Sequence, residues 1–241
     1  MSTLVDETVP ATAPFDSLSP FRLTVEPDGL ALLVFDTPGE KVNKFSTPVM
    51  KEFERVVDGL AARRDVKALV LLSAKPGVFI AGADVNEIAK AGRNADPEMI
   101  RGGHRTFNKL ANLPFPTVAA IGGACVGGGC ETALSMDWRL ASDSPKTQIG
   151  LPEIKLGILP AWGGTTRLPR MIGLANAFAQ SSRIACGTTS STRPIRFARF
   201  ASRTFPARMT SRAFARPIMR GRRVVPPHAG RMPSLISGRP I

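Results

Sequence analysis

The sequence predicts an α/β protein built around a mostly parallel sheet. Two runs, residues 66–73 and 117–121, are almost continuously apolar, which is typical of strands that are covered on both faces. Apolar residues recur at helical spacing over residues 48–60, just before the first run. A glycine-rich turn at residues 122–129 follows the second run and leads into another expected helix. This alternation of strands and helices indicates units of the βαβ type.

The chain begins with a segment of little predicted structure. Residues 1–20 contain three prolines and several Ser and Thr residues, so we expect a mobile leader. Residues 21–25 and 30–35 flank a turn at Pro27-Asp28-Gly29 and predict a β-hairpin. This hairpin is expected at the edge of the sheet.

The first helix and the second strand follow the turn at Pro38-Gly39. Thr47 is expected to cap a helix whose first residue is Pro48. After the strand at 66–73, the loop 75–84 leaves the carboxyl end of that strand. Open α/β sheets usually bind their ligands at this end, so the loop is a candidate for the site.

A further helix is expected to begin at Asp96-Pro97 and to lead to the central strand at 117–121. The helix after the glycine turn should start at Gly129 and end near Met136, before a short strand at 138–141. The predicted buried stripe of the first of these helices is Ile100, Phe107, Leu110 and Leu113.

The glycine turn suggests chemistry as well as structure. Gly128 and Gly129 would lie in the first turn of a helix, where amide groups have no intrahelical acceptor and can stabilise developing negative charge. Glu131 follows at once, and a second carboxylate, Glu153, lies 22 residues further on. Two such glutamates can share acid and base work if their surroundings separate their pKa values. The alternative for Glu131 is a glutamate that merely stabilises its own helix.

Three ordered motifs resemble the crotonase (enoyl-CoA hydratase/isomerase) superfamily: FIAGADV at 79–85, GGGCE at 127–131, and LPE at 151–153 followed by LGILPAWGGT. Two further runs, PGEKVN from residue 38 and NLPFPTVAA from residue 112, are most similar to the hydratase/isomerase region that opens the alpha subunit of fatty acid oxidation complexes. The resemblance covers residues 21–177. It implies a spiral of ββα units, here truncated at about residue 180.

The resemblance also implies an activity, enoyl-CoA hydratase of fatty acid β-oxidation. The Ala83 and Gly128 amides would form an oxyanion hole for the thioester carbonyl, Glu131 would activate water and Glu153 would protonate C2, which gives 3-hydroxyacyl-CoA from trans-2-enoyl-CoA. About two extra residues separate the two glutamates compared with the family, and we expect them within residues 142–146.

Five more residues are expected to bind substrate: Ala81, Gly82, Asp84, Gly127 and Trp162. Asp84 is expected to act mainly by capping the helix that begins at the next residue. The Trp162 ring is expected either in the wall of the acyl pocket or in the core. No metal is expected, and the substrate is a coenzyme A thioester. NAD would belong to a downstream region of the relatives.

The rest of the chain predicts no further site of this kind. Three cysteines without a CxxC pair suggest reduced thiols in the cytoplasm, and for Cys130 we favour packing over nucleophilic catalysis. The glycine run fits neither a dinucleotide fingerprint nor a P-loop. No membrane span is expected.

Residues 181–241 carry 13 Arg and no Lys, Asp or Glu, which accounts for the net charge of +13. This Arg- and Pro-rich tail lacks periodicity, so we expect it to be disordered or a frame-shifted product, outside the domain at 21–180.

Alternatives to hydratase activity are Δ3-Δ2 enoyl-CoA isomerase and an inactive fragment. Nucleic-acid binding by the tail is disfavoured because it lacks any module. Relatives suggest a homotrimer or a thiolase partner.

Overall fold

We describe the protein from a computed structural model, which covers residues 19–92 and 96–183. Nearly all of the expected leader and all but the first three residues of the Arg-rich tail lie outside the described residues. The described part forms eight strands: β1 (Phe21–Val25), β2 (Leu30–Phe35), β3 (Ala68–Ser73), β4 (Val78–Ile80), β5 (Thr117–Ile121), β6 (Ala124–Val126), β7 (Trp138–Ala141) and β8 (Ile149–Gly150).

The larger sheet has the order β1-β2-β3-β5-β7. β1 and β2 pair antiparallel at its edge, whereas every other neighbouring pair is parallel. All five residues of β5 are buried, and so are the first four of β3. The predicted hairpin, the parallel sheet and its coverage on both faces are therefore confirmed.

A smaller parallel sheet, β4-β6-β8, was not predicted. Each of its strands comes directly after a strand of the larger sheet, so the chain repeatedly adds one strand to each sheet before it enters a helix. This repeat is the ββα unit of the expected spiral. Its strands have only three, three and two residues, which is too short for a periodic sequence pattern.

The helices of the described residues are α1 (Thr47–Ala61), α2 (Val85–Ala91), α3 (Pro97–Ala111), α4 (Gly128–Ser135), α5 (Gly164–Ile172) and α6 (Leu174–Arg183), with a 3-10 helix at Pro152–Leu156. Thr47 is not the cap of α1: Ser46 holds that position without a side-chain bond, and Thr47 is the first helical residue. Glu87 of α2 caps α1 instead, because its Oε2 accepts from the Thr47 amide at 2.8 Å and the Thr47 hydroxyl at 2.7 Å.

The core contains a chain of aromatic rings that reaches from the hairpin to the helices. Phe21 stacks on Phe35 with ring centroids 4.4 Å apart. Phe45 packs beside Phe35 at 5.6 Å, and its ring edge meets Phe107 of α3 at 5.9 Å. The sheet is thereby joined to α3 through one buried apolar cluster, whose burial is the main stabilising term of a domain of this size.

One part of the predicted α3 stripe is wrong. Ile100 is 45% exposed, whereas Phe107 and Leu110 are buried as expected. The inward face at this end of the helix is formed by Gly103, which is buried because the Trp162 ring lies against its Cα and would overlap any Cβ there. A helix stripe read from apolar residues alone cannot include a glycine that is buried for this reason.

Candidate active site

The loop after β4 is held against residues 43–45 by a short ladder of backbone hydrogen bonds. The Ala81 amide donates to the Asn43 carbonyl at 2.8 Å, the Phe45 amide to the Gly82 carbonyl at 2.8 Å, and the Asp84 amide to the Phe45 carbonyl at 2.9 Å. Since residues 82 and 84 face Phe45, the amide of Ala83 between them points the other way. Within the described residues it has no acceptor.

The turn before α4 brings a second free amide to the same place. Gly127 has φ +56°, a left-handed conformation that favours glycine, and Gly128 opens the helix. A Cβ on Gly128 would lie 3.5 Å from the Ala83 nitrogen, and a Cβ on Gly82 would lie 3.6 Å from the Gly128 nitrogen. The two loops therefore meet backbone to backbone. In the part of the chain that is described, the Gly128 amide also has no acceptor.

Glu131 lies in the first turns of α4 with only 2% of its surface exposed. Its Oε1 accepts two backbone hydrogen bonds of 2.8 Å each, from the amides of Trp162 and Gly164. Burial raises the pKa of this carboxyl, while the two amides and the nearby Arg167 cation favour its ionised form. The carboxylate thus has one oxygen fixed by backbone donors.

Glu153 lies on the 3-10 helix and faces the same turn. A Cβ on Gly127 would lie 3.0 Å from its Oε1, so glycine at this position leaves room for the carboxyl. Its Oε2 is buried and has no hydrogen-bond partner among the described residues. Burial, with a smaller contribution from the negative charge of Glu131, raises the pKa of Glu153 to about 7.

The two carboxyls therefore differ in what surrounds them. Glu131 gains two amide donors from a distant loop that stabilise its charge. For Glu153 a backbone hydrogen bond within the same residue favours the ionised form, but desolvation outweighs it. Because two close carboxylates resist ionising together, the better-stabilised one ionises first. The arrangement supports an ionised Glu131 beside a protonated Glu153, which is a base next to an acid.

Asp84 caps α2, as predicted, because its Oδ1 accepts from the Asn86 amide at 2.9 Å. Its other oxygen forms an ion pair of 3.0 Å with Lys44, and this hydrogen bond lowers the pKa of Asp84. Lys44 was not anticipated from the sequence. The pair adds a side-chain link beside the ladder that orients the Ala83 amide.

Trp162 lies in the core rather than on an open wall. Its ring meets those of Phe45 and Phe107 edge to face, with centroids 6.1 and 5.5 Å away, and lies between Gly103 and Gly128. The edge against Gly128 places the ring next to the free amides. A direct contact of this ring with substrate stays a prediction.

Cys130 is buried beside Glu131, and burial raises the pKa of its thiol, so it stays protonated. Within residues 19–92 and 96–183, no group of three or more His, Cys, Asp and Glu is arranged to hold a metal ion. Among the helices of the same residues, none has the length and apolar character needed to cross a membrane.

Four residues that the sequence motifs named, Ala83, Gly128, Glu131 and Glu153, lie around the same turn in the structure. Sequence reasoning missed the Trp162 and Gly164 amides as partners of Glu131, and also Arg167, which contacts the Trp162 carbonyl. The paired glycines at 163 and 164 were a usable signal, since adjacent glycines often mark close backbone approach.

Comparison with known proteins places the chain in a family. Residues 26–188 match the family described as Enoyl-CoA hydratase/isomerase. Fatty acid oxidation complex alpha subunits of Shewanella amazonensis and Shewanella halifaxensis are each 44% identical over 158 residues, which is 65% of this chain and 22% of the relative. The chain thus spans about a fifth of the length of these curated relatives.

Solved structures agree in fold. An enoyl-CoA hydratase from Geobacillus kaustophilus superposes with a TM-score of 0.61 at 34% identity, over 67% of this chain and 60% of that one. Pseudomonas aeruginosa DspI gives a TM-score of 0.63 at 30% identity, over 70% and 67%. These similarities confirm the α/β spiral that the three motifs implied.

Proposed function

Because the chain belongs to the enoyl-CoA hydratase/isomerase family, we propose that it is an enoyl-CoA hydratase of fatty acid β-oxidation. The reaction adds water across the double bond of a trans-2-enoyl-CoA thioester and gives a 3-hydroxyacyl-CoA. Side chains and backbone amides carry the reaction, and the coenzyme A thioester is the substrate. The proposal is supported by the residue motifs, the family match and the different surroundings of the two glutamates.

In the first step, the thioester oxygen accepts from the Ala83 and Gly128 amides. Both are free, and both are fixed by the backbone around them before substrate arrives. As charge moves from the double bond onto this oxygen, the amides stabilise it without having to reorganise. Losing one such donor typically costs about 3 kcal/mol of barrier.

In the second step, one glutamate accepts a proton from water and the other donates a proton to C2. Ionised Glu131 removes a proton from water as the oxygen of that water bonds to C3. Protonated Glu153 then gives its proton to C2, where the enolate carries excess electron density. One proton thus moves onto Glu131 and one leaves Glu153, so the exchange of a single proton between them, or with solvent, restores the starting state.

The observation that carries this proposal is the difference between the two carboxyls. Glu131 Oε1 is saturated by two amides, and Glu153 Oε2 is buried without a partner while burial raises the pKa of Glu153 to about 7. A reaction that needs a base and an acid at once uses such a pair. Hydratase chemistry has that requirement.

The test is the loss of conjugated-thioester absorbance when the purified chain meets crotonyl-CoA. We expect turnover by the wild type, and a fall in kcat of about a thousandfold in Glu131→Gln and in Glu153→Gln, since positioned acids and bases typically contribute 10²–10⁴. Binding of a saturated acyl-CoA should change little in either variant. An inactive wild type that is folded would contradict the proposal and favour an inactive fragment.

The alternative is Δ3-Δ2 enoyl-CoA isomerase, in which one carboxylate moves a proton from C2 to C4. Such a reaction needs only one of the two glutamates, so the presence of both beside the glycine turn favours hydratase. A 3-enoyl-CoA substrate separates the two: isomerase activity that survives Glu131→Gln would assign the proton transfer to Glu153. A cytoplasmic location, and assembly as a homotrimer or with a thiolase subunit, stay predictions.

A further inference from the structure

Glu131 depends on a loop that lies more than thirty residues later in the chain. The two amides that bind its Oε1 belong to Trp162 and Gly164, in the segment that leads into α5. Within the described residues, no donor reaches Oε2 of Glu131. The direction in which the free oxygen points is therefore set by where this loop holds its amides.

Arg167 links the loop at residues 162–164 to helix α3. Its Nη1 donates to the Trp162 carbonyl at 3.0 Å, and its Nη2 donates to Asn108 Oδ1 of α3 at 2.6 Å. The planar guanidinium thus joins the loop to a neighbouring helix through a fork that a lysine cannot reproduce. The Trp162 peptide carbonyl is fixed on one side while the Trp162 amide faces Glu131.

The Arg167 guanidinium lies very close to the backbone at Gly163. It has φ +112°, and a Cβ at this position would overlap Nη1 of Arg167. Both the left-handed backbone and the missing side chain are needed for the guanidinium to lie under the loop. The sequence at 163 is therefore matched to the arginine four residues later.

The charge of Arg167 has no conventional partner. The side chain is half-buried, and among the described residues it forms no ion pair with a carboxylate. Burial lowers the pKa of Arg167, with Glu131 acting in the opposite direction as the charge that attracts it. Partial desolvation of a cation without an ion-pair partner costs stability.

We propose that Arg167 is a positioning residue for Glu131: its guanidinium fixes the Trp162 carbonyl, so that the Trp162 and Gly164 amides hold Oε1 and leave Oε2 for the reacting proton. The catalytic meaning of this role rests on the proposed function. The positioning itself can be measured without turnover.

The direct test is a titration of the Glu131 carboxyl by 13C NMR in protein labelled at the glutamate carboxyl carbon, with the signal assigned by its loss in Glu131→Gln. The charged or titratable groups that face Glu131 are Glu153, Cys130 and Arg167. In Arg167→Met we expect the pKa of Glu131 to rise, because both the fixed amides and the nearby cation are lost. Arg170→Met is the matched control: it removes an exposed arginine of the same helix and should leave this pKa unchanged.

Turnover supplies the second readout. We expect kcat of Arg167→Met to fall about 10- to 100-fold with KM nearly unchanged, since misplacing a reacting group by about 1 Å costs about this much. Arg167→Lys should recover only part of the loss, because its ammonium cannot reach both acceptors in the same fork. Asn108→Ala, which removes one anchor of the guanidinium and leaves the charge, should give a smaller change in the same direction.

The outcomes separate the two proposals. A wild type without hydratase activity overturns the proposed function and leaves the titration to decide on Arg167. If folded Arg167→Met titrates at Glu131 like the wild type, the positioning role is overturned whatever the activity. Where Arg167→Met fails to fold, Arg167→Lys and Asn108→Ala decide: an unchanged Glu131 titration in both overturns the proposal, and an upward shift supports it.

Discussion

The two sides of the site are built in different ways. The amide side, residues 81–84 and 127–131, is tied down by backbone ladders and buried in the core. The acid side, the 3-10 helix Pro152–Leu156, is short, and next to Glu153 it leaves Ile154 37% and Leu156 64% exposed. The same side chain, glutamate, accepts two amides from a distant loop on one side, whereas on the other desolvation raises its pKa to about 7. Under the proposed function, these different surroundings, rather than the residue type, would make Glu131 the base and Glu153 the acid.

Gly82→Ala should break the amide side with the largest effect. The residue has φ +96°, and the added Cβ would lie 3.3 Å from the Val126 carbonyl oxygen, so the loop must shift and carry the Ala83 amide with it. We expect kcat for crotonyl-CoA to fall about 100-fold, as when an oxyanion donor is lost. Gly39→Ala is the control, because Gly39 has φ +73° and nothing within 4 Å of an added Cβ. Equal losses in both variants would show that backbone strain alone is responsible.

The pH dependence of kcat/KM tests whether Glu153, on the acid side, supplies a proton. Burial raises the pKa of Glu153 to about 7, so its proton is present below that value and is lost as pH rises through it. We therefore expect kcat/KM to fall about tenfold per pH unit above about pH 7, when measured from about pH 5 to about pH 9. A profile that stays flat through this range would mean that Glu153 does not supply a proton.

The raised pKa of Glu153 should also affect the free energy of unfolding, which we expect to be lower at the pH values where Glu153 is ionised. Since the pKa of Glu153 in the folded protein is about 7, against an ordinary value of 4.5, ionising this group opposes folding. The penalty is absent below about pH 4 and complete above about pH 7. Glu153→Gln should thus raise the free energy of unfolding at about pH 8 by about 1 kcal/mol, a figure reduced for solvent screening of this partly exposed side chain. It should raise it by nothing at about pH 4, as urea unfolding at the two pH values will show. An equal gain at both would contradict the assignment.

We expect the smallest effect from loss of the Glu87 cap on helix α1, which lies next to the amide side. Glu87→Ala removes the cap that α2 provides to Thr47 at the start of α1, next to the ladder at residues 43–45. We expect a loss of about 1 kcal/mol in the free energy of unfolding, which is typical for a lost helix cap. Glu87→Gln keeps an acceptor oxygen and should recover most of it. No change in Glu87→Ala would mean that the cap is replaced by water.

The difference between the two sides also explains what the sequence could predict. The two glutamates and the glycines at 82, 127 and 128 stand in contiguous motifs that can be recognised in the sequence. At Gly82 and Gly127 the left-handed backbone itself favours glycine. The partners of Glu131 do not stand in such a motif. The Trp162 and Gly164 amides reach it across more than thirty residues, and Arg167 acts on it only through the Trp162 carbonyl and through its charge.

Similar reasons account for the other missed features. Glu87 caps a helix forty residues earlier in the chain, and no local pattern announces such a bond. Gly103 is buried only because Trp162 arrives from a distant segment, so an apolar stripe over α3 pointed to Ile100 instead. The short strands β4, β6 and β8 are held by their neighbours and not by their own composition.

The Trp162 ring, which packs between Gly103 and Gly128, should report on the site by its intrinsic fluorescence. The whole chain contains two tryptophans and no tyrosine, so its near-ultraviolet emission comes from Trp162 and Trp138 alone. Since the Trp162 ring touches Gly128, a ligand that binds this amide changes the surroundings of the indole. In a Trp138→Phe background, occupancy of the site could be followed by the emission of a single native side chain, without a dye and without turnover.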